Sequence, residues 1–187
     1  MDSLATLAFD GRRGEFFRGE LLQALMILDQ GHFTADSLRG SWAGATGQTQ
    51  FMPSSYHRFA VDYNNDGFAD IWNSLPDIFA SIANYLSTTG WDPTTTWGRK
   101  VRLPQQFDHK LVGLEQVKPL TFWKKKGIVS ADGSKIPALA LPASLIILDD
   151  NGHEAYLVYS NYNTILKWNR SKYFATTVGL LADKIRY

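Results

Sequence analysis

Apolar residues recur with a helical period early in the chain. Phe16, Phe17, Leu21, Leu25 and Leu28, with Leu22 and Met26 beside them, form a stripe along one predicted helix that ends at Gly31. A glycine-rich polar stretch follows. Pro53 and Ser54 then open a short helix through Tyr56 and Phe59, and residues 62–73 read as a polar loop. Ser74 is placed to cap a helix over Asp77 to Ser87, with Ile78, Ile82 and Leu86 inward and Gly90 past its end. After Trp97 the period shortens. Val101 and Leu103, then Leu120 to Trp123, read as short extended pieces. Ser144 to Leu148 and Glu154 to Tyr159 flank Asp149-Asp150-Asn151-Gly152, which predicts a hairpin. Ser171 then caps a final helix whose inward residues are Val178, Leu181 and Ile185.

These elements predict an α+β fold: a mainly helical body over residues 1–97 and 155–187, with a small β-rich lobe over 98–154. At 187 residues the chain has length for one substantial core or a core with an appended lobe. A net charge of +1 gives no basic field for nucleic acid. The run Lys124-Lys125-Lys126 reads as a solvated strand end or turn. Cysteine is absent, which excludes disulfides, thiol catalysis and Cys-ligated zinc. No apolar run reaches the roughly 18 residues a membrane span needs, and the N-terminus carries no signal-peptide pattern.

The stretch Gly40-Ser41-Trp42-Ala43-Gly44-Ala45-Thr46-Gly47-Gln48-Thr49-Gln50-Phe51-Met52-Pro53-Ser54-Ser55-Tyr56 carries the most chemistry. Its glycines permit positive φ and close approach to a ligand. Its Gln, Ser and Tyr side chains are neutral donors and acceptors suited to a sugar. A plain helix connection has the same composition. The order of residues resembles the signature of the lytic murein transglycosylase B family. The segments Asp2 to Phe9, Phe16 to Leu21, Asp62 to Trp72 and Ala80 to Leu86 resemble its flanking segments, and Asn161, Trp168, Asn169 and Ser171 its closing motif. The likeness is strong from Asp2 to Trp91 and looser beyond.

The resemblance implies a lysozyme-like helical core with a β insertion. It also implies cleavage of the MurNAc–GlcNAc β-1,4 bond of peptidoglycan with a 1,6-anhydro product, by one glutamate acting as acid and then base, in the periplasm or cell envelope. That glutamate lies upstream of the segment matching Asp2 to Phe9. The expectation is therefore an N-terminally truncated chain with no catalytic residue of its own and no or very weak activity. Glu15 and Glu20, beside Arg12, Arg13 and Arg18, read as surface ion pairs and not as replacements. The resemblance assigns Ser41 and Gln50 to the sugar or the catalytic glutamate, Phe51 beneath them, and Tyr85 with Asn84 near the catalytic centre. Asn161, Trp168 and Asn169 fall along the glycan groove, although the family often carries tyrosine where Trp168 stands.

Asp62-x-Asn64-x-Asp66-Gly67 resembles the start of an EF-hand loop, in which oxygens converge on one hard cation. Asn73 replaces the usual glutamate at position 12. Candidate Ca2+ ligands are Asp62, Asn64, Asp66, the Phe68 carbonyl, Asp70 and, from the next helix, Asp77. A turn rich in Asx residues without metal is the plainer reading. Two functions of different class remain open: the transglycosylase domain acting on peptidoglycan strands, and a non-catalytic glycan- or calcium-binding module.

Overall fold

The computed structural model describes residues 1–11, 13–149 and 152–185. It divides into two compact units, Met1–Thr88 and Thr89–Tyr187. The first unit is helical: α1 (Asp2–Phe9), α2 (Gly14–Asp29), α3 (Pro53–Phe59) and α4 (Leu75–Thr88). Helix α1 lies on α2, α2 on α3 and α3 on α4. Pro53 starts α3 because proline has no N–H to leave unpaired in a first turn.

The apolar stripe expected on α2 is not the face it buries. Glu20, Ala24 and Ile27 turn inward, while Phe16, Leu22, Leu25 and Met26 are exposed. Both faces have helical spacing, and packing selects the one where small Ala24 permits close approach and Glu20 finds donors on α3. Glu20 is therefore not a surface ion pair. Helix α4 buries Asp77, Ile78, Ser81 and Tyr85, a small rotation from the expected Ile78, Ile82 and Leu86.

The second unit contains a five-stranded antiparallel sheet: β1 (Gly98–Arg102), β2 (Gly113–Pro119), β3 (Val129–Ser130), β4 (Pro142–Ile147) and β5 (Ala155–Val158), in the order β2-β4-β5-β1-β3. Its helices are α5 (Leu120–Lys125), α6 (Ser160–Trp168) and α7 (Lys172–Ile185). The hairpin β4–β5 pairs Ser144 with Val158 and Ile147 with Ala155. Asp150 and Asn151 of its expected turn lie outside the described residues. The Asp149 carboxylate accepts the His153 and Glu154 N–H groups across the turn.

Two expectations are corrected here. Leu120 to Trp123 is helical, with Leu120 and Trp123 fully buried. The Trp123 indole N–H reaches the Lys118 and Ala143 carbonyls, so α5 plugs the sheet and Lys124 to Lys126 trail into solvent. Ser171 does cap α7, but the buried face is Ala175, Thr176 and Gly179, and Val178, Leu181 and Ile185 are exposed. Gly179 lies against the Trp97 ring more closely than any Cβ could stand, so the contact face must be small. Strand β5 and helices α6 and α7 fall in the same compact unit as the rest of the sheet, Thr89–Tyr187.

Candidate functional site

The glycine-rich motif folds as a tight double turn. Ser41 N–H donates to the Ala45 carbonyl and Gly44 N–H to the Ser41 carbonyl; Thr46 and Phe51 exchange two backbone hydrogen bonds at 2.7 and 3.1 Å. Ser41 Oγ accepts the Ala45 N–H at 3.1 Å. Gly44 has φ +87°, with Leu4 of α1 seated against its Cα. Gln50 is exposed and holds φ +52°, a left-handed conformation that costs energy in a residue with a side chain. Its amide Nε2 donates to the Gly47 carbonyl at 2.9 Å. Trp42 stands at the surface, 81% exposed. Sequence reasoning passed over it, although a tryptophan among glycines has little core to join.

Phe51 is buried beneath this turn, between Phe59 at 6.3 Å and Tyr85 at 5.7 Å between ring centroids, and Phe59 meets Tyr85 at 4.7 Å. Burial raises the Tyr85 pKa, with a smaller opposing pull from Arg58. Asn84 ties α4 to α3 by donating to the Phe59 carbonyl at 3.0 Å. Below the turn, Glu20 accepts Ser54 N–H at 2.9 Å and Ser54 Oγ–H at 2.7 Å, anchoring the first turn of α3. The structure thus gathers Ser41, Gln50 and Phe51 in one loop, with Asn84 and Tyr85 on the helix packed under it.

The other three expected residues lie in the second unit. Asn161 is fully buried, its Oδ1 accepting Asp92 N–H and its Nδ2 donating to the Asp92 and Thr95 carbonyls. Its amide holds the loop before β1 and presents no surface to a glycan. Trp168 closes α6 half-buried, and Asn169 is exposed with its Oδ1 accepting Ser171 N–H.

The polar loop winds around its own carboxylates. Asp62 accepts Asp66 and Gly67 N–H groups, Asn64 Oδ1 accepts Asp66 N–H, and Asp66 accepts Phe68 N–H. Asp77, the third residue of α4, is fully buried and accepts Tyr63 N–H at 3.0 Å and Asp70 N–H at 2.9 Å. Oxygens of Asp62, Asp66 and Asp77 lie within 4.8 Å of one another. No Lys or Arg pairs with them among the described residues. A fully buried carboxylate without a cationic partner is costly, and a bound cation would offset that cost. This donor set, all hard oxygen, fits Ca2+. Asp70 does not join it: its Oδ1 caps the Trp72 and Asn73 N–H groups, and Asn73 Nδ2 points back at it. Phe68 turns its ring onto His32, stacked at 4.5 Å. Burial, then the charges of Asp70 and Asp77, push the Tyr56 pKa up to about 12, so its hydroxyl stays a donor, to the Ala69 carbonyl.

Among known proteins, residues 1–183 match the model of the Transglycosylase SLT domain. The chain is 33% identical to membrane-bound lytic murein transglycosylase B of Escherichia coli over 99% of its own length and 50% of that protein. It therefore spans about half the length of that relative. Among solved structures it resembles SltB3 of Pseudomonas aeruginosa in complex with NAG-NAM-pentapeptide, with a TM-score of 0.93, 46% identity, and 98% of this chain on 50% of that one. It also resembles the Escherichia coli lytic transglycosylase Slt35 in complex with calcium, with a TM-score of 0.80, 32% identity, and 97% of this chain on 57% of that one. With match and motif spanning nearly every residue, the chain belongs to the Transglycosylase SLT domain family, the lytic murein transglycosylases of the B type.

Proposed function

We propose that this chain supplies the glycan-holding part of a peptidoglycan lytic transglycosylase of the cell envelope, cleaving the MurNAc–GlcNAc β-1,4 bond with a 1,6-anhydromuramyl product. The observation that carries the reading is the motif turn: exposed neutral groups, led by Gln50 in a strained left-handed conformation, over the Phe51–Phe59–Tyr85 bed. Strain of this kind is retained where a ligand uses it. Trp42 adds an exposed aromatic face on which a sugar ring would stack. Ser41 and Gln50 are the contacts to the glycan, and Phe51, Asn84 and Tyr85 support them from beneath.

On this reading the family's catalytic glutamate, which the resemblance places upstream of Asp2 to Phe9, is not among these residues. A glycosidic acid must keep a proton and face the bond. Glu20 instead accepts two hydrogen bonds from Ser54, and Asp77 faces the polar loop. Ca2+ held by Asp62, Asn64, Asp66 and Asp77 neutralises that loop and has a structural part. The calcium complex of Slt35 supports this assignment. No helix among the described residues is long and apolar enough to cross a membrane.

The test is mass spectrometry of soluble products from purified murein sacculi, using this chain and a longer chain extended upstream. Anhydromuropeptides from the longer chain alone are expected. Products from both would place the acid within these residues. A glycan-binding role without catalysis would appear as binding of both chains to sacculi with no product from either.

A further inference from the structure

Gln48 of the glycine-rich motif and Trp72 of the polar loop are 24 residues apart, yet they share a short hydrogen-bonded seam. Gln48 N–H donates to the Ile71 carbonyl at 2.8 Å, and Gln48 Nε2 donates to the Trp72 carbonyl, also at 2.8 Å. The Trp72 indole N–H returns to the Arg39 carbonyl at 3.2 Å, which also accepts Thr46 Oγ1–H at 3.1 Å. Gly47, at φ +64°, lies so close to Ile71 that a Cβ there would stand 2.7 Å from its side chain and 2.8 Å from its carbonyl oxygen. On the far side of the seam, Asp77 accepts Asp70 N–H and Asp70 accepts Trp72 N–H. The cation-ligating carboxylate and Gln48 are therefore joined by Asp70, Ile71 and Trp72, with no gap in the hydrogen bonding.

We infer that Gln48 is a positioning residue that transmits the order of the cation loop to the glycan-holding turn, so that Ca2+ and glycan strengthen each other's binding. The physical basis is the strained turn. Gln50 holds its left-handed conformation two residues past Gln48, and that end of the turn is held by the local bonds to Gly47, the Thr46–Phe51 pair and the seam to Ile71 and Trp72. Without a cation, Asp62, Asp66 and Asp77 repel one another, and the loop that carries the seam loosens. With a cation the loop is fixed, and residues 69–72 become a rigid support for Gln48. Coupling between two binding events is reciprocal by necessity, so each ligand must change the affinity of the other by the same factor. The inference rests on the reading of the turn as a glycan site, whereas the seam itself does not.

The experiment is amide hydrogen exchange of the chain with and without CaCl2, on wild type and on Gln48→Met. That variant keeps the side-chain length and removes the donor to Trp72. In wild type, calcium is expected to slow exchange of the Gln48 and neighbouring motif amides by about fivefold or more, within the usual range of coupling between sites. In Gln48→Met, calcium still binds by calorimetry and still slows the loop amides, while the effect on the motif shrinks. Calcium that protects residues 62–77 and leaves the motif unchanged in wild type overturns the inference, as does a chain that binds no calcium. The second arm measures affinity for a soluble disaccharide-peptide fragment of peptidoglycan at zero and saturating calcium. Tighter binding with calcium, lost in Gln48→Met, supports the linkage. Equal affinity overturns it. A turn ordered by calcium that binds no fragment overturns the glycan reading and leaves the strut standing.

Discussion

The two units of this chain are held together by different means. In the second unit, Leu120, Trp123, Ile128, Ile136, Leu145 and Leu157 meet in a core with almost no exposed surface, and every residue of β5 is buried. In the first, Phe51, Tyr56, Phe59 and Ile71 are buried as well, but the glycine-rich turn and the polar loop themselves are held differently. They are fixed by carboxylates accepting backbone N–H groups, by glycines at positive φ, and by single side-chain bonds such as Gln48 to Trp72. Apolar burial scales with area and tolerates small shifts, whereas a buried carboxylate or a left-handed turn depends on particular atoms. The sheet core thus rests mainly on buried area, and the turn and the loop rest on particular atoms.

The strongest challenge to that contrast is Trp123→Ala. The change opens a large cavity and leaves the Lys118 and Ala143 carbonyls without the indole donor. It is expected to cost about 3–5 kcal/mol, read as a lower urea midpoint. A loss under about 1 kcal/mol would mean that the sheet core carries far less than its burial implies. Gly47→Ala comes next. The new methyl meets Ile71, and the backbone must stay left-handed, which together cost about 2–4 kcal/mol. If the melting temperature is unchanged, the turn does not need the seam.

Asp77→Asn separates the two roles of the carboxylate. It keeps an acceptor for Tyr63 N–H but turns an amide donor toward a site that expects an acceptor or a cation. Calorimetric calcium binding should disappear, with about 1–3 kcal/mol of stability lost in chelator. Retention of calcium affinity would remove Asp77 from the ligand set.

Much of this contrast was legible in the sequence, and the illegible part has a common cause. The hairpin at Ser144 to Tyr159, the start of α3 at Pro53 and the capping by Ser171 follow from local chemistry, and the structure has them. The faces of α2 and α7 were misread because each helix carries more than one apolar stripe. The choice between stripes was made by partners that need a small residue: the approach at Ala24 in one case and the Trp97 ring against Gly179 in the other. Leu120 to Trp123 has strand-like composition but is helical, and in that form the Trp123 indole N–H meets the Lys118 and Ala143 carbonyls. Within the site, the family resemblance pointed to Gln50, and the spacing of Asp62, Asn64, Asp66 and Gly67 pointed to the polar loop. The tie from Gln48 to Trp72 spans 24 residues, and no local pattern encodes it.

The smallest expected effect lies on the sheet, at Glu154. The ammonium of Lys100 and then the Tyr156 hydroxyl hold the Glu154 carboxyl below the usual glutamate range. Burial, and then the hydrogen bond to Glu154, raises the Tyr156 hydroxyl above its ordinary value. A carboxyl with a depressed pKa stabilises the folded state above its unfolded value, about 4.3. That contribution is lost as pH falls through the lower folded value. Both partners are about 40% exposed (Lys100 40%, Glu154 43%), so solvent screening keeps the contribution below about 1 kcal/mol. Glu154→Gln should therefore melt slightly lower than wild type at pH 7, and the gap should close below about pH 4. A gap that persists into acid would show that Glu154 acts through packing and neutral hydrogen bonding. A large gap at pH 7 would mean that a single surface pair rivals the apolar core, and the contrast between the units would fail on the sheet side.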